Sequence, residues 1–581
     1  MKNKIEMKNI LKNITLFTLF SSIMACSLVE PVDENLLGED RLNFDPAFAE
    51  GVLLNAYEGL VNQLYFNDAA TDDAVNNFLS SYRRMATGEW NAQNPFTNKW
   101  GMYEQVLYAN KFITLIDQVE WKRDEETNEL FKQRLYGEAV ALRALRHFWI
   151  LQEHGGRGVS GQLLGIPYIS EFLEFDADFN TPRLGFEETV SRIVADFDEA
   201  LEYLPMDYDG DLAKRPSRYN DTNDDTYQFV FGKDQDGRIN GRIIKAFKAK
   251  LYLLAASPAF MNGQGGYYQE AADLLAELLN DIGGLGGLDP NGYYNFYEFP
   301  VGTRNFPEVL WRSNASTDMT WVESQHFPPS LNGEGRLNPS QNLVEAFPML
   351  DGFPFSEAHP DYNPENPFEN RDMRLQRYIL YNGNDLNGRV VSITNDGGVD
   401  GIDQISQRST RSGYYLKKLL DQKVVISADG SISSSEKINV YVRYTDLFLM
   451  LAEAANELGG PDQMVGGMSA RNIIGAIRQR AGIGLDNSDA YLSSISSQED
   501  MRNLIRNERR LELCFEGHRL YDLRRWNLFD QTPDAKGLQF DGTNYESFTV
   551  EPRLYNANAN YAPIPQNEVV RFNLIEQNQG W

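Results

Sequence analysis

The sequence predicts a mainly α fold: helical pairs stacked as an irregular, tetratricopeptide-like solenoid, carrying a large loop-rich lobe with short strands. Three observations predict it. Apolar residues recur at steps of three and four through several long stretches, as on one face of an amphipathic helix. Short breaks at Pro and Gly end these stretches, so neighbouring helices pair as helix–turn–helix units, although no clean 34-residue repeat is present. Segments 205–240 and 283–440 are dense in Gly, Pro, Asn and Asp, and the second is far too long for a plain connector.

Taken in order, the chain opens with an export-signal pattern. Lys2, Lys4, Lys8 and Lys12 outweigh Glu6, and the apolar run 14–23 is too short to span a bilayer as a stable helix. Ile23-Met24-Ala25-Cys26 resembles a bacterial lipobox, so residues 1–25 are expected to be a lipoprotein signal and Cys26 the lipid attachment point. The alternative is an ordinary secretory signal with Cys26 incidental. No other long apolar stretch follows, so the anchor would be lipid. Residues 26–45 are polar and acidic and read as a tether.

Residues 46–282 are expected to be helical with inserted loops. One stripe is Phe131, Leu135, Ala139, Leu142, Leu145 and Trp149; a second is Val190, Ile193, Phe197, Leu201 and Leu204, stopped by Pro205. A third, Ile244, Phe247, Leu251 and Leu254, ends near Pro258. Residues 283–440 form the expected ligand-binding lobe, with strands at RVVSIT and KVVISADGS. Residues 441–581 return to helix, beginning with YTDLFLMLAEAANELGGP, whose Gly459-Gly460-Pro461 is a strong stop. Alanines at 139, 141, 144, 452, 454 and 455 would let helices approach closely.

Composition narrows the function. The formal charge of −29 repels phosphate backbones and argues against nucleic acid. With two cysteines, one of them expected to be acylated, no intramolecular disulfide is expected, and Cys514 reads as a small buried hydrophobe. Aromatic residues make up 12% of the chain, suited to core packing and to stacking on sugar rings or peptide side chains.

The densest signal is residues 497–527. Ser497 with Asp500 forms a helix-starting capping box, and Met501, Leu504, Ile505, Leu511, Cys514 and Phe515 mark a buried side. Gly517 would break this helix and HRLYDLRRW would begin a second. Glu516, His518 and Asp522 invite a catalytic reading. The alternating charges favour a structural one, in which paired arginines hold the lobe to the solenoid.

ERRLELCFEGHRLYDLRRW resembles the C-terminal signature of the SusD/RagB family of surface glycan-binding lipoproteins. NKWGMYEQVLYANKFI (98–113), GEAVALRALRHFWILQEHGG (137–156) with GIPYI (165–169), RYTDLFLMLAEAANELG (443–459), NIIGAIRQRAG (472–482) and the closing YAPIPQNEVVRFNLIEQNQGW are similar to other family segments. EHGGRGVSGQLLGIP lengthens the loop before the G-x-P turn. The resemblance implies a lipid-anchored binder, not an enzyme, on the outer face of the outer membrane. It would capture oligosaccharides and deliver them to a SusC-like TonB-dependent barrel transporter. Peptide capture, as in RagB-like members, is the nearest alternative; a surface glycoside hydrolase or a transporter lid is more distant.

Segment 71–94 resembles one that contributes to family ligand sites. Trp90, in a polar loop, is expected to stack on a sugar with Asn91 bridging hydroxyls, or else to plug the loop onto the scaffold; Asp73 and Arg84 would add polar contacts. Trp321 is the second expected platform, Tyr293 and Tyr294 the third, and Trp311 reads as core. No cofactor is expected. Residues 221–232 resemble the start of a calcium loop but carry Thr226 where glycine belongs and Gly232 where the final glutamate belongs. The glycine-rich 283–292 lacks the lysine of a phosphate loop, and the five histidines show no short zinc spacing.

Overall fold

The computed structural model describes residues 44–581, except 63, 65, 175, 262–265, 293–306, 318, 387 and 395–397. The scaffold starts with α1 (Pro46–Tyr57), where Asp45 Oδ1 accepts the Ala47 N–H at 2.8 Å and Pro46 takes the first helical position. It continues through α2 (Tyr103–Leu115), α3 (Glu125–His154), α4 (Phe186–Tyr203), α5 (Gly241–Ala256) and α6 (Tyr267–Asp281). Each packs on its predecessor, the arrangement of a helical-pair stack. The stops are those expected: α4 ends just before Pro205 and α5 before Pro258. The stripe on α3 is buried apart from the half-buried Phe131.

The alanine–arginine run of α3 has a physical reason. Alanines at 139, 141 and 144 are fully buried and let α2 and α4 close in. The arginines between them tie neighbours together. Arg143 forks onto Asp196 of α4 at 2.7 and 2.8 Å, and Arg146 caps the free carbonyls at the end of α1, with Ala56 O at 2.8 Å and Gly59 O at 3.0 Å. In the lengthened loop, Gly156–Arg157 pairs with Leu163–Leu164 as a tight hairpin. The following turn needs Gly165: a Cβ there would lie 2.0 Å from Thr189 Oγ1 of α4.

The lobe is an insertion in this stack. α6 packs directly on α7 (Tyr444–Gly459), so the helices on either side of the lobe are neighbours. Four further short strands matter: β1 (Ala74–Asn76), β2 (Val309–Arg312), β3 (Leu337–Pro339) and β4 (Val440–Arg443). β2 pairs antiparallel with β4, so the strands leading into and out of the lobe form its neck. β1 pairs with β3 and anchors the lobe to the N-terminal segment. The expected strands within the lobe are much reduced. RVVSIT contributes only Arg389–Val390, and KVVISADGS only an isolated bridge from Ile426 to Ile432. Both runs do alternate, with Val391, Ile393, Val424 and Ile426 buried in the lobe core and Val390 and Val425 71% and 43% exposed, but the alternation is met by side-chain packing and not by a longer ladder. The would-be calcium loop is the start of the short helix Asp224–Phe231, capped by Asn223 accepting the Thr226 N–H.

After α7 come α8 (Ala470–Arg480), α9 (Gln498–Glu512) and α10 (Arg519–Arg525). Ser497 caps α9 as predicted, accepting the Asp500 N–H at 3.0 Å. The helix stops at Glu512, before Gly517, because Phe515 turns into the left-handed region (φ 65°) with its amide held by Asp68 Oδ1. α9 serves two cores. Met501, Leu504 and Ile505 join the scaffold core, whereas Leu511, Cys514 and Phe515 join the lobe core with Leu337, Phe347 and Leu375.

A buried ion network runs along the same helix. Arg374 of the lobe, with no exposed side-chain surface, bonds Asp372 at 2.7 Å and Glu508 and Glu512 at 3.0 Å each. Arg480 of α8 reaches Glu512 at 2.9 Å, and Arg443 of β4 reaches Glu516 at 2.8 Å and Glu308 at 2.7 Å. Burial alone would raise the Glu512 carboxyl, but the guanidiniums of Arg480, Arg443 and Arg374 hold it at about 2. Replacing Arg374 with Met strands these carboxylates in the interior. We expect a loss of about 3–5 kcal/mol in unfolding free energy, read from denaturant melts of the two chains.

Candidate ligand-binding surface

The expected site residues do not assemble around Trp90. Its indole is 7% exposed and packs at 4.7 Å from the Trp581 ring and edge-on to Phe529 and Tyr555. No face is free for a sugar, so Trp90 plugs its loop onto the scaffold and is corrected from platform to core. Asn91 is a turn residue whose Oδ1 accepts the amides of Gln93 and Asn94 at 3.0 Å each. Asp73 is fully buried and bonded to Arg510 at 2.6 Å, out of reach of a ligand. Arg84 is paired with Glu89 at 2.7 Å and lies over the Phe96 ring. Trp311 is core as expected, 2% exposed, with Nε1 donating to Gly237 O. Cys26, Tyr293 and Tyr294 lie outside the described residues.

Trp321 is different. It begins the short helix Trp321–His326 and is 48% exposed, while Val322 and Glu323 beside it are buried. Val322 enters the lobe core, and Glu323 accepts the Asp421 N–H and pairs with the buried Lys437. These contacts fix the helix so that the indole points outward. The end of the helix is bonded to the next segment: Glu334 N–H donates to Ser324 O at 2.9 Å and Arg336 N–H to Gln325 O at 2.8 Å. That segment leads into β3, which pairs with β1.

The surface therefore joins two segments singled out in the sequence, although by other residues than expected. Arg336 stacks over Phe78 at 4.7 Å, and Leu79 next to it is 63% exposed. Asn77 is turned inward, donating to Glu334 O and Gly335 O. Glu334 lies between two guanidiniums, Arg336 at 3.3 Å and Arg408 at 3.4 Å. The arrangement is one exposed aromatic face with amide, hydroxyl and guanidinium groups of Gln325, Ser324, Arg336 and Arg408 on the adjoining turns. Phe78, Leu79, Arg336 and Arg408 were not picked out in sequence. The signal available was an apolar pair, Phe78-Leu79, flanked by Asn and Ser.

The residues of the tempting catalytic run are structural. Glu516 is held by Arg443 and Lys418, and Asp522 by Arg509 and Arg525, all buried. They border a cavity of about 120 Å³ also lined by Lys250, Asp446 and His518. The pairing Lys250–Asp446–Arg509 leaves the charges of that cavity satisfied. Asp351, His359 and Asp361 lie close enough to suggest a metal. His359 Nδ1, however, accepts the Asp361 N–H, and Nε2 faces Asp351 Oδ2 at 3.1 Å, so both ring nitrogens are satisfied without an ion.

Two family models match the chain: the SusD family over residues 307–581, and a model described as starch-binding and associating with the outer membrane over 43–220. The chain belongs to the SusD family. Curated relatives agree over shorter stretches. SusD-like protein P2 of Formosa agariphila is 32% identical over 143 residues, covering 24% of this chain and 25% of the relative. SusD-like protein P25 of the same organism is 36% identical over 230 residues, covering 39% and 35%. The chain thus matches only a quarter to a third of these relatives' length. The fold agrees throughout. A SusD-like protein from Bacteroides fragilis superposes with a TM-score of 0.72 at 23% identity, over 95% of this chain and all of that one. A laminarin-binding SusD-like protein does so with 0.58 at 20%, over 93% and 100%. In this SusD-family protein, no helix among the described residues is long and apolar enough to cross a membrane.

The correction at Trp90 has a measurable consequence. Trp90→Ala should cost about 3–5 kcal/mol of stability, read by thermal or denaturant unfolding, as for other buried aromatic truncations.

Proposed function

We propose that this protein is a surface binder that captures oligosaccharides through the Trp321 face of its lobe and passes them, uncleaved, to a TonB-dependent barrel transporter. The observation that carries the reading is Trp321: an indole nearly half exposed on a helix whose Val322, Glu323 and His326 are buried in the lobe. A rigid aromatic platform offers an apolar face to the C–H side of a sugar ring at little entropic cost, and the polar groups beside it can bond hydroxyls. Family membership supports the ligand class, since one matching model is described as starch-binding and a neighbour in fold is described as laminarin-binding. The lipobox-like Ile23–Cys26 supports a lipid anchor holding the protein at the outer membrane, facing outward.

A panel of polysaccharides and their oligosaccharides tests the reading. The wild-type chain should retain one class without releasing products, and Trp321→Ala should bind it at least about tenfold more weakly, the cost of losing an interfacial anchor. Equal affinity in the two proteins removes Trp321 from the site. Product release points to an enzyme, and indifference to every glycan points to peptide capture. The anchor has its own test: labelled palmitate should enter the wild-type chain in cells and not Cys26→Ala, and equal labelling would dismiss Cys26 as the attachment point.

A further inference from the structure

The turn at residues 67–73 meets the C-terminal 510–519 segment in a set of buried charges that does not balance at one position. Asp72 and Asp73 are each paired with an arginine, although Asp73 Oδ2 has no hydrogen bond of its own and meets only Arg519, at 3.9 Å. Arg510 bonds Asp73 Oδ1 at 2.6 Å and Asp72 Oδ2 at 2.8 Å, and Arg519 bonds Asp72 Oδ1 at 3.1 Å. Asp68 is not paired in this way. It is fully buried, its Oδ1 accepts only the Phe515 N–H at 3.2 Å, and its Oδ2 has no hydrogen-bond partner. Among the described residues no cation lies within ion-pair distance of it.

The charged and titratable groups around it offer no relief. On its own turn stand Asp72 and Asp73, beside the uncharged amide of Asn67. From the C-terminal segment come Arg510 and Arg519, both engaged by the other two aspartates, along with Cys514 and Glu516. From the lobe comes Lys418, whose ammonium donates to Glu512 O at 2.7 Å, Cys514 O at 3.0 Å and Glu516 Oε1 at 2.7 Å, which uses all three of its protons. From the segment after the strand Tyr545–Glu551 come Arg553, bonded to Glu551, Thr71 O and Ala74 O, and Tyr555, bonded to Ala70 O.

We propose that Asp68 carries a proton in the folded protein, and that this proton is a condition for seating the 67–73 turn on the Phe515 turn. An ionised carboxylate sealed in the interior without a counter-ion is strongly unfavourable, and taking up a proton avoids that cost. The electrostatics agree with the geometry: burial, followed by the Asp73 charge, raises the Asp68 carboxyl to about 7, against the opposing pull of the Phe515 amide and Lys418. The seam between the N-terminal turn and the family signature is therefore pH-sensitive. Its contribution to stability is full below the ordinary aspartate value of about 4, falls about tenfold in folding equilibrium per pH unit above it, and levels off above the folded-state value of about 7.

Unfolding of the full chain and of Asp68→Asn, measured from pH 5 to 8.5, tests this. The amide keeps the shape of the neutral acid and cannot ionise. The ratio of the folding constants, variant over wild type, should rise about tenfold per pH unit between 5 and 7 and then level off. Asp68→Ser, which removes the carboxyl and adds no bulk, should show the same pH profile from a lower starting stability. A ratio that does not change with pH in either variant overturns the proposal. So does failure of both variants to fold at every pH, because an ionised carboxylate would then be what the seam requires.

Discussion

The architecture depends on neutralising the carboxylates of one helix. Glu508 and Glu512 of α9, with Glu516 just beyond it, are buried at the meeting point of lobe and scaffold. Ionised carboxylates there are tolerable only with several cations in fixed geometry. The cations come from separate parts of the chain: Arg374 and Lys418 from the lobe, Arg443 from its neck, and Arg478 and Arg480 from α8. None of these elements can move without leaving a charge unpaired. α9 also gives one end of its apolar side to the scaffold core and the other to the lobe core, so packing and electrostatics impose the same relative placement.

This explains how an insertion as long as the lobe can present a defined surface. Ordering a long loop between α6 and α7 carries an entropic cost that grows only slowly with length, but the loop needs its ends fixed. The β2–β4 neck fixes the ends, β1–β3 ties the lobe to the N-terminal segment, and Arg374 bolts its interior to α9. Trp321 is on the side of the lobe held by the second of these attachments. Its exposure is imposed by its neighbours, since Val322 and Glu323 on the same turn have nowhere else to go than inward.

The parts legible in the sequence were those with local causes. Helices with period near 3.6, proline and glycine stops, and the Ser497 cap are set by residues a few positions apart, and they form where expected. The parts that were not legible have distant causes. Trp90 has polar neighbours in sequence and reads as exposed, but the residues that bury it, Phe529, Tyr555 and Trp581, come from the other end of the chain. Asp73 reads as a polar contact for a ligand because its partner, Arg510, is equally distant in sequence. The strands expected in the lobe shrink to Arg389–Val390 and one isolated bridge, whereas the pairing of Ile379–Leu380 with Tyr415–Leu416, only two residues long, has no alternation to detect. Trp321 was legible as a platform only as one tryptophan among several. What separates it from Trp311, paired edge-on with Phe247 in the core, is tertiary packing.

Net charge says less about ligand choice than the surroundings of Trp321 do. The formal charge of −29 creates a field that repels polyanions on approach, but at physiological ionic strength it is screened over about 8 Å. Arg336 and Arg408, on the turns joined to the Trp321 helix, share the single carboxylate of Glu334, which leaves one positive charge in excess among these three side chains. Guanidinium forks that are already half-satisfied keep N–H groups free for hydroxyl oxygens without requiring an anion. Together with an exposed indole, they suit a hydroxyl-rich ring better than a flat apolar partner, which would leave those donors buried and unpaired. On the proposed reading, the same logic limits specificity: one stacking face and flexible donors would recognise the shape of a sugar face, and discrimination between linkages would have to come from groups placed farther along the ligand.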